Sequence, residues 1–210
     1  KRYGGRAVFD GLDPDVRSGE FVALVGRSGA GKSTLLHLLS GIDVPDAGQV
    51  RVGDVELTAL DEHQRTALRR ERIGLVFQAY NLVPSLSALD NVRLPMELVG
   101  MPPATARREA MAVLAALGLA GLADRFPEQL SGGEQQRIGV ARALAHSPGL
   151  VLADEPTGSL DLDNAGAVID LLAAACRQRG ATLLLVTHSQ DVMDRADRLL
   201  RLVDGRLEPG

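Results

Sequence analysis

The segment Gly26-Arg27-Ser28-Gly29-Ala30-Gly31-Lys32-Ser33-Thr34 fits the pattern G-x-x-x-x-G-K-[ST] at every fixed position. Its chemistry is phosphate binding. The glycines let the backbone wrap closely around an anion, with amide N–H groups turned inward. A helix that begins at this point adds the partial positive charge of its N-terminus. Lys32 is then placed to reach the β- and γ-phosphates of a nucleoside triphosphate, and the Ser33 hydroxyl to coordinate Mg²⁺. Gly26, Ser28, Gly29, Ala30, Gly31, Lys32, Ser33 and Thr34 are therefore the expected nucleotide contacts.

A second group is acidic. Gly149-Leu150-Val151-Leu152-Ala153-Asp154-Glu155-Pro156 reads as an apolar strand that ends in two carboxylates. In a parallel sheet, strand ends gather at the edge where ligands bind. There Asp154 is expected to hold Mg²⁺, and Glu155, on the other side of the strand because side chains alternate, to act as the base that activates water.

The third group is Leu130-Ser131-Gly132-Gly133-Glu134-Gln135-Gln136-Arg137. Ser131 and Glu134 form S-x-x-E, a capping box that opens a helix. A capping box does not require two consecutive glycines. Gly132 and Gly133 leave bare N–H groups at the helix start, which makes a second anion site in the same chain. One triphosphate has no need of two cradles, so the second is expected to serve a nucleotide held by another copy.

The elements that must position these groups are legible as well. Phe21–Val25, Ile73–Phe77, Leu150–Ala153 and Thr182–Val186 are nearly continuous apolar runs, as expected of strands buried on both faces of a mainly parallel sheet. Helical segments lie between them, which gives an α/β pattern. A helix follows the phosphate loop as far as Ser40, with Gly41 as its stop. Gln49–Leu57, around Gly53-Asp54, and Leu199–Leu207, around Asp204-Gly205, read as antiparallel pieces. The stretch from Tyr80 to Ser147 carries no clear strand and reads as a helical insertion.

Composition narrows the function. Hydrophobic residues make up 45% of 210, enough for a sizeable core. The net charge of −4 argues against bulk binding to nucleic acid, which needs a basic footprint, and leaves a local basic patch open. The lone cysteine, Cys176, excludes an intrachain disulfide, fits a reducing compartment and is expected in a helix core. No apolar run approaches the roughly 20 residues that span a bilayer, and no signal peptide stands out. The chain opens on Lys1, and a few native residues are expected to precede it.

The string at Leu130–Arg137 resembles the signature motif of the ABC ATPases, and the order of the other motifs agrees over essentially the whole chain. The resemblance implies a P-loop core with a mainly parallel sheet, an antiparallel β piece and an inserted α-helical subdomain. It implies one domain over 1–210, with a core lobe of about 1–78 and 149–210 and a helical lobe of about 79–148. By position, Gln78 matches the family's metal ligand and sensor, and His188 its γ-phosphate contact. Asp161, in Ser159-Leu160-Asp161, matches the residue linking the two sites, and Tyr3, 29 positions before Lys32, the aromatic that stacks on adenine. Catalysis is then assigned to Glu155, His188 and Lys32, Mg²⁺ to Ser33, Gln78 and Asp154, and the cross-subunit contact to Ser131, Gly132, Gly133, Glu134 and Asp161.

The implied protein hydrolyses ATP with Mg²⁺ as one of two paired subunits, a homodimer by expectation. It drives separate transmembrane permease chains from the cytoplasmic face of the membrane. Arg72-Ile73-Gly74-Leu75-Val76-Phe77-Gln78-Ala79-Tyr80-Asn81-Leu82-Val83-Pro84 resembles the subgroup serving lipoprotein release, macrolide-type export and cell division. The permease is expected to grip a groove near Tyr80–Leu89, where Leu82, Val83 and Leu86 offer apolar contacts. The alternative is a non-transport ABC ATPase acting on DNA or ribosomes. Against it stand the single phosphate loop, the short interval between Thr34 and Leu130, and the acidic charge.

Overall fold

The computed structural model describes residues 1–158 and 162–209. Strands β1 (Arg2–Tyr3) and β2 (Arg6–Ala7) form a small antiparallel pair. Strand β3 (Phe21–Gly26) runs into the phosphate loop, and α1 (Lys32–Leu39) leaves it. Ser40 is the C-cap of α1, and Gly41 follows in the left-handed region with φ 67°. Strands β4 (Arg51–Val52) and β5 (Val55–Glu56) close a hairpin over Gly53-Asp54.

Helix α2 (Glu62–Arg72) opens on a capping box: the Gln64 amide donates to Asp61 at 2.8 Å, and the Asp61 amide donates to the Gln64 side chain at 2.9 Å. Such caps contribute about 1 kcal/mol each. Strand β6 (Ile73–Val76) follows directly, one residue shorter than its apolar run. Three helices then come in succession: α3 (Ala88–Leu98) capped by Ser87, α4 (Pro103–Ala116) with proline in its first turn, and α5 (Gly132–Leu144). The chain returns to the sheet with β7 (Leu150–Asp154), α6 (Leu162–Arg179), β8 (Thr182–Val186), α7 (Gln190–Met193), β9 (Arg198–Val203) and β10 (Arg206–Pro209).

The main sheet has six strands in the order β10-β9-β3-β8-β7-β6. All neighbours are parallel except β10, which is antiparallel to β9. The antiparallel piece expected at Leu199–Leu207 is the β9–β10 hairpin, and it forms one edge of the main sheet. Strand β9 also pairs in parallel with β3, because its leucines extend the buried surface beside that strand.

Period-2 alternation sorts the strand side chains onto two cores. Val22, Leu24, Leu152, Leu184 and Val186 face Leu35, Leu36 and Leu38 of α1. Phe21, Val151, Ala153, Leu183 and Leu185 face Val168, Ile169 and Leu172 of α6 together with Val140, Ala143 and Leu144 of α5. A third core joins α3, α4 and α5 through Val92, Met96, Ala110, Leu114 and Ile138. Helix α5 thus contributes to two cores on different faces. Cys176 is 2% exposed on α6, and burial pushes its thiol up to about 11.

The seat of α5 on the sheet depends on Gly74. A Cβ there would lie 2.4 Å from the Ala143 carbonyl oxygen and 3.1 Å from Pro148. Gly74→Ala should therefore force α5 off β6. Overpacking of this kind costs about 2 kcal/mol, which in a chain of this size lowers Tm by about 4–8 °C. Thermal unfolding followed by circular dichroism checks it; an unchanged midpoint would contradict the close approach.

Candidate functional site

Four consecutive parallel strands, β3, β8, β7 and β6, deliver their carboxyl ends to one edge. In that order the edge carries the phosphate loop after Gly26, Thr187-His188, Asp154-Glu155 and Phe77-Gln78. Register places Leu24 beside Val186, Val186 beside Asp154, and Ala153 beside Val76. With strands about 4.8 Å apart, the four segments share one rim.

Arg27, Ser28 and Gly29 are exposed in the loop, and together with Gly26, Ala30 and His188 they line a cleft. Lys32 is only 7% exposed, and its Nζ donates to the carbonyls of Gly26 at 2.9 Å and Arg27 at 3.1 Å. The lysine lies within the curl of its own loop. Ser33 is exposed and Thr34 half-buried in the first turn of α1. Gly31 caps this helix at φ 101°, and a Cβ there would meet Val8 at 2.7 Å and the Phe9 ring at 3.0 Å. No other residue type fits both the backbone and the space.

On the acidic strand, Asp154 is the last residue of β7, paired with Val186. Glu155 has left the strand and adopts φ 44°, with its amide on the Val186 carbonyl at 3.1 Å. Its direction is therefore set by a left-handed turn and not by strand alternation. Its Oε1 lies 3.1 Å from His188 Nε2, so the carboxylate and the imidazole form one unit on the rim. A non-glycine residue in this region carries roughly 1–3 kcal/mol of strain, a cost found most often at functional positions.

Tyr3 sits 48% exposed in β1, and its hydroxyl donates to Asp43. Lys1 Nζ pairs with Asp43 at 2.6 Å and lies 4.9 Å above the Tyr3 ring. Burial works against the charge of Asp43, but the bonds from Lys1 and Tyr3 outweigh it and hold its carboxyl below the ordinary value. The same bond to Asp43 raises the pKa of the Tyr3 phenol.

The segment expected to form a second cradle lies at the start of α5, on a capping box formed by Ser131 and Glu134. The Ser131 amide and hydroxyl both donate to Glu134 at 2.8 Å, and the Glu134 amide returns a bond of 3.3 Å to the hydroxyl. The amide bond, then the hydroxyl bond, hold the Glu134 carboxyl below its ordinary range. Ser131 is exposed, and Gly132 and Gly133 follow in the first turn. Asp161 lies outside the described residues.

The match to known proteins follows this layout. Residues 9–158 fit the family model described as ABC transporter. The chain belongs to the ABC transporter family. As a member it is an ATP-binding subunit and an ATPase. It is 49% identical over 204 residues to an ABC transporter ATP-binding protein of Mycobacterium tuberculosis, covering 97% of this chain and 82% of the relative. It is also 49% identical to the lipoprotein-releasing system ATP-binding protein LolD of Xanthomonas oryzae pv. oryzae, covering 95% and 82%. Among solved structures it resembles a dimeric ATP-binding cassette bound to ADP and Pi in a post-hydrolysis state. There the TM-score is 0.88 at 38% identity, with 96% of this chain and 88% of that chain covered.

Some residues that organise this ABC ATPase were not singled out in the sequence. Asn91 is fully buried; it accepts from the Val83 amide at 2.8 Å and donates to the carbonyls of Val83, Leu86 and Ser87. One side chain thus pins the whole 83–87 loop. Gln136, also fully buried, donates to the Phe77 carbonyl at 3.3 Å. The available signal was a glutamine in line with Val140 and Ala143 at i, i+4 and i+7 of a buried stripe, where a polar side chain needs a partner. Leu82, Val83 and Leu86, expected as exposed contacts, are half-buried, and Leu82 packs on the third core.

Gly31→Ala should weaken ATP binding about tenfold or more, since it adds backbone strain to a clash with Val8. Titration with a fluorescent ATP analogue measures it; parent-like affinity would mean that the cradle tolerates a different curl.

Proposed function

We propose that two copies of this chain clasp two ATP molecules, each held between the Lys32 loop of one subunit and Ser131–Glu134 of the other. The observation that carries this reading is the presence of two glycine-led helix N-termini, one at Gly31 and one at Gly132-Gly133, anchored in different cores. An anion site at a helix N-terminus draws on unpaired amides and the helix dipole. The resemblance to dimeric cassettes supports the pairing.

In this assembly Lys32 neutralises charge on the β- and γ-phosphates, and loop amides from Gly26, Ser28, Gly29, Ala30, Gly31, Ser33 and Thr34 hold their oxygens. Tyr3 stacks on adenine, with its phenol fixed by Asp43. The exposed Ser33 hydroxyl, the exposed Gln78 amide and the half-buried Asp154 carboxylate form an oxygen set of the kind Mg²⁺ accepts. When bound, Mg²⁺ supplies charge neutralisation across the phosphates.

Glu155, held by His188, orients a water and takes its proton as the water oxygen bonds to the γ-phosphorus. The bond to the bridging oxygen breaks, and ADP and phosphate leave. His188 contacts the γ-phosphate, and Asp161 links the two sites. Phosphoryl transfer depends on positioning and charge stabilisation, so an open monomer hydrolyses slowly.

The output is transport. Among the described residues no helix is long and apolar enough to cross a membrane. A separate permease supplies the span, which places this subunit at the cytoplasmic face. The LolD relatives support the lipoprotein-release and export branch. The division into a core lobe, about 1–78 and 149–210, and a helical lobe, about 79–148, is part of this reading.

Glu155→Gln should bind ATP, form a stable ATP-dependent dimer and lose turnover by about 10²–10⁴-fold, the usual worth of a positioned base. Phosphate release and size-exclusion chromatography test both halves; wild-type turnover would remove Glu155 from its role. Ser131→Arg should keep monomer ATP binding and abolish dimerisation. Full dimerisation by that variant would overturn the shared site.

A further inference from the structure

The loop that leaves β6 is fastened to the signature helix along its length. Gln136 holds the Phe77 carbonyl, and Arg142 donates to the Tyr80 carbonyl at 3.1 Å and also to that of Asn81. Tyr80 and Asn81 both adopt φ 50°, and the Asn81 amide donates to the Ala79 carbonyl, closing a three-residue turn about Tyr80. A bulky side chain rarely takes this conformation, and it persists only where the surroundings enforce it. Here Arg142 enforces it.

The turn sends the phenol to the first turn of α5. A Cβ at Gly132 would lie 2.7 Å from the Tyr80 hydroxyl, and one at Gly139 would lie 3.4 Å from the Tyr80 carbonyl. A side chain at Gly132 would therefore displace the Tyr80 hydroxyl from this seat. At the other end of the loop, a Cβ at Gly158 would lie 2.8 Å from Gln78 Nε2. The loop therefore touches the turn after Glu155 at one end and the start of α5 at the other.

We propose that Tyr80 is a positioning residue that locks the signature segment Ser131–Glu134 to the Gln78 loop of its own subunit. The proposal rests on the shared-site reading above. Gln78 belongs to the ATP bound by its own subunit, whereas Ser131 belongs to the ATP of the partner. Tyr80 makes the two one body, so occupancy of one site sets half of the other. That is a coupling between binding sites, and coupling of this kind is reciprocal.

The test uses Tyr80→Ala, Tyr80→Gly and Tyr80→Phe in the full chain, with Ser131→Arg as control. Monomer affinity for a fluorescent ATP analogue, Tm, ATP-driven dimerisation in the Glu155→Gln background, and the Hill coefficient of ATP hydrolysis are measured. For Tyr80→Ala and Tyr80→Gly, dimerisation should weaken about tenfold and the Hill coefficient should fall from about 2 towards about 1. Monomer affinity and Tm should stay at the parent values. Tyr80→Gly relieves the backbone strain, so its failure assigns the effect to the ring, and Tyr80→Phe should recover most of the cooperativity. Parent-like dimerisation and Hill coefficient in Tyr80→Gly would overturn the proposal, as would a loss of monomer affinity matching the loss of dimer. If Ser131→Arg also dimerises fully, the shared-site reading itself fails.

Discussion

The structure depends on one constraint: a parallel sheet must be covered on both faces. Parallel neighbours need crossovers, and the crossovers place helices above and below the strands. In this chain α1 covers one face and α5 with α6 the other. Once both faces are closed, only the strand ends remain open to ligands. Consecutive strand ends bring the phosphate loop, the histidine, the acidic pair and the glutamine together from positions far apart in the chain. The site is a by-product of how the sheet is buried.

Helix α5 carries that arrangement beyond the sheet. Val140, Ala143 and Leu144 pack on the strands, while Ile138 and Ala141 pack among α3 and α4. A helix buried on two sides cannot turn freely about its axis, because interiors are close-packed. The exposed Ser131 at its start therefore takes its orientation from both cores. Two cores meet in this helix, and Ser131, the proposed cross-subunit contact, stands at its start.

Much of this was legible from residue type and spacing. The phosphate loop, the strand at Leu150 and the capping box at Ser131 are local patterns, and each lies on the element its pattern requires. What escaped were contacts between distant positions. Gln136 and Arg142 bond carbonyls 59 to 62 residues earlier, and Tyr3 finds Asp43 40 residues on. Backbone conformation was hidden too. Nothing in the letters of Glu155, Tyr80 or Asn81 announces a positive φ, since the surroundings and not the side chain impose it. The β9–β10 hairpin was visible as a hairpin, but its membership of the main sheet was not, because parallel pairing with β3 spans most of the chain.

The packing of Cys176 has a practical side. Burial pushes its thiol up to about 11, well above neutral pH, and the thiolate is the reactive form. Maleimides and disulfide reagents meet a nearly silent background in the folded chain. A cysteine introduced on the surface stands out against the buried Cys176, so spectroscopic labels can be attached to this chain without first removing that thiol.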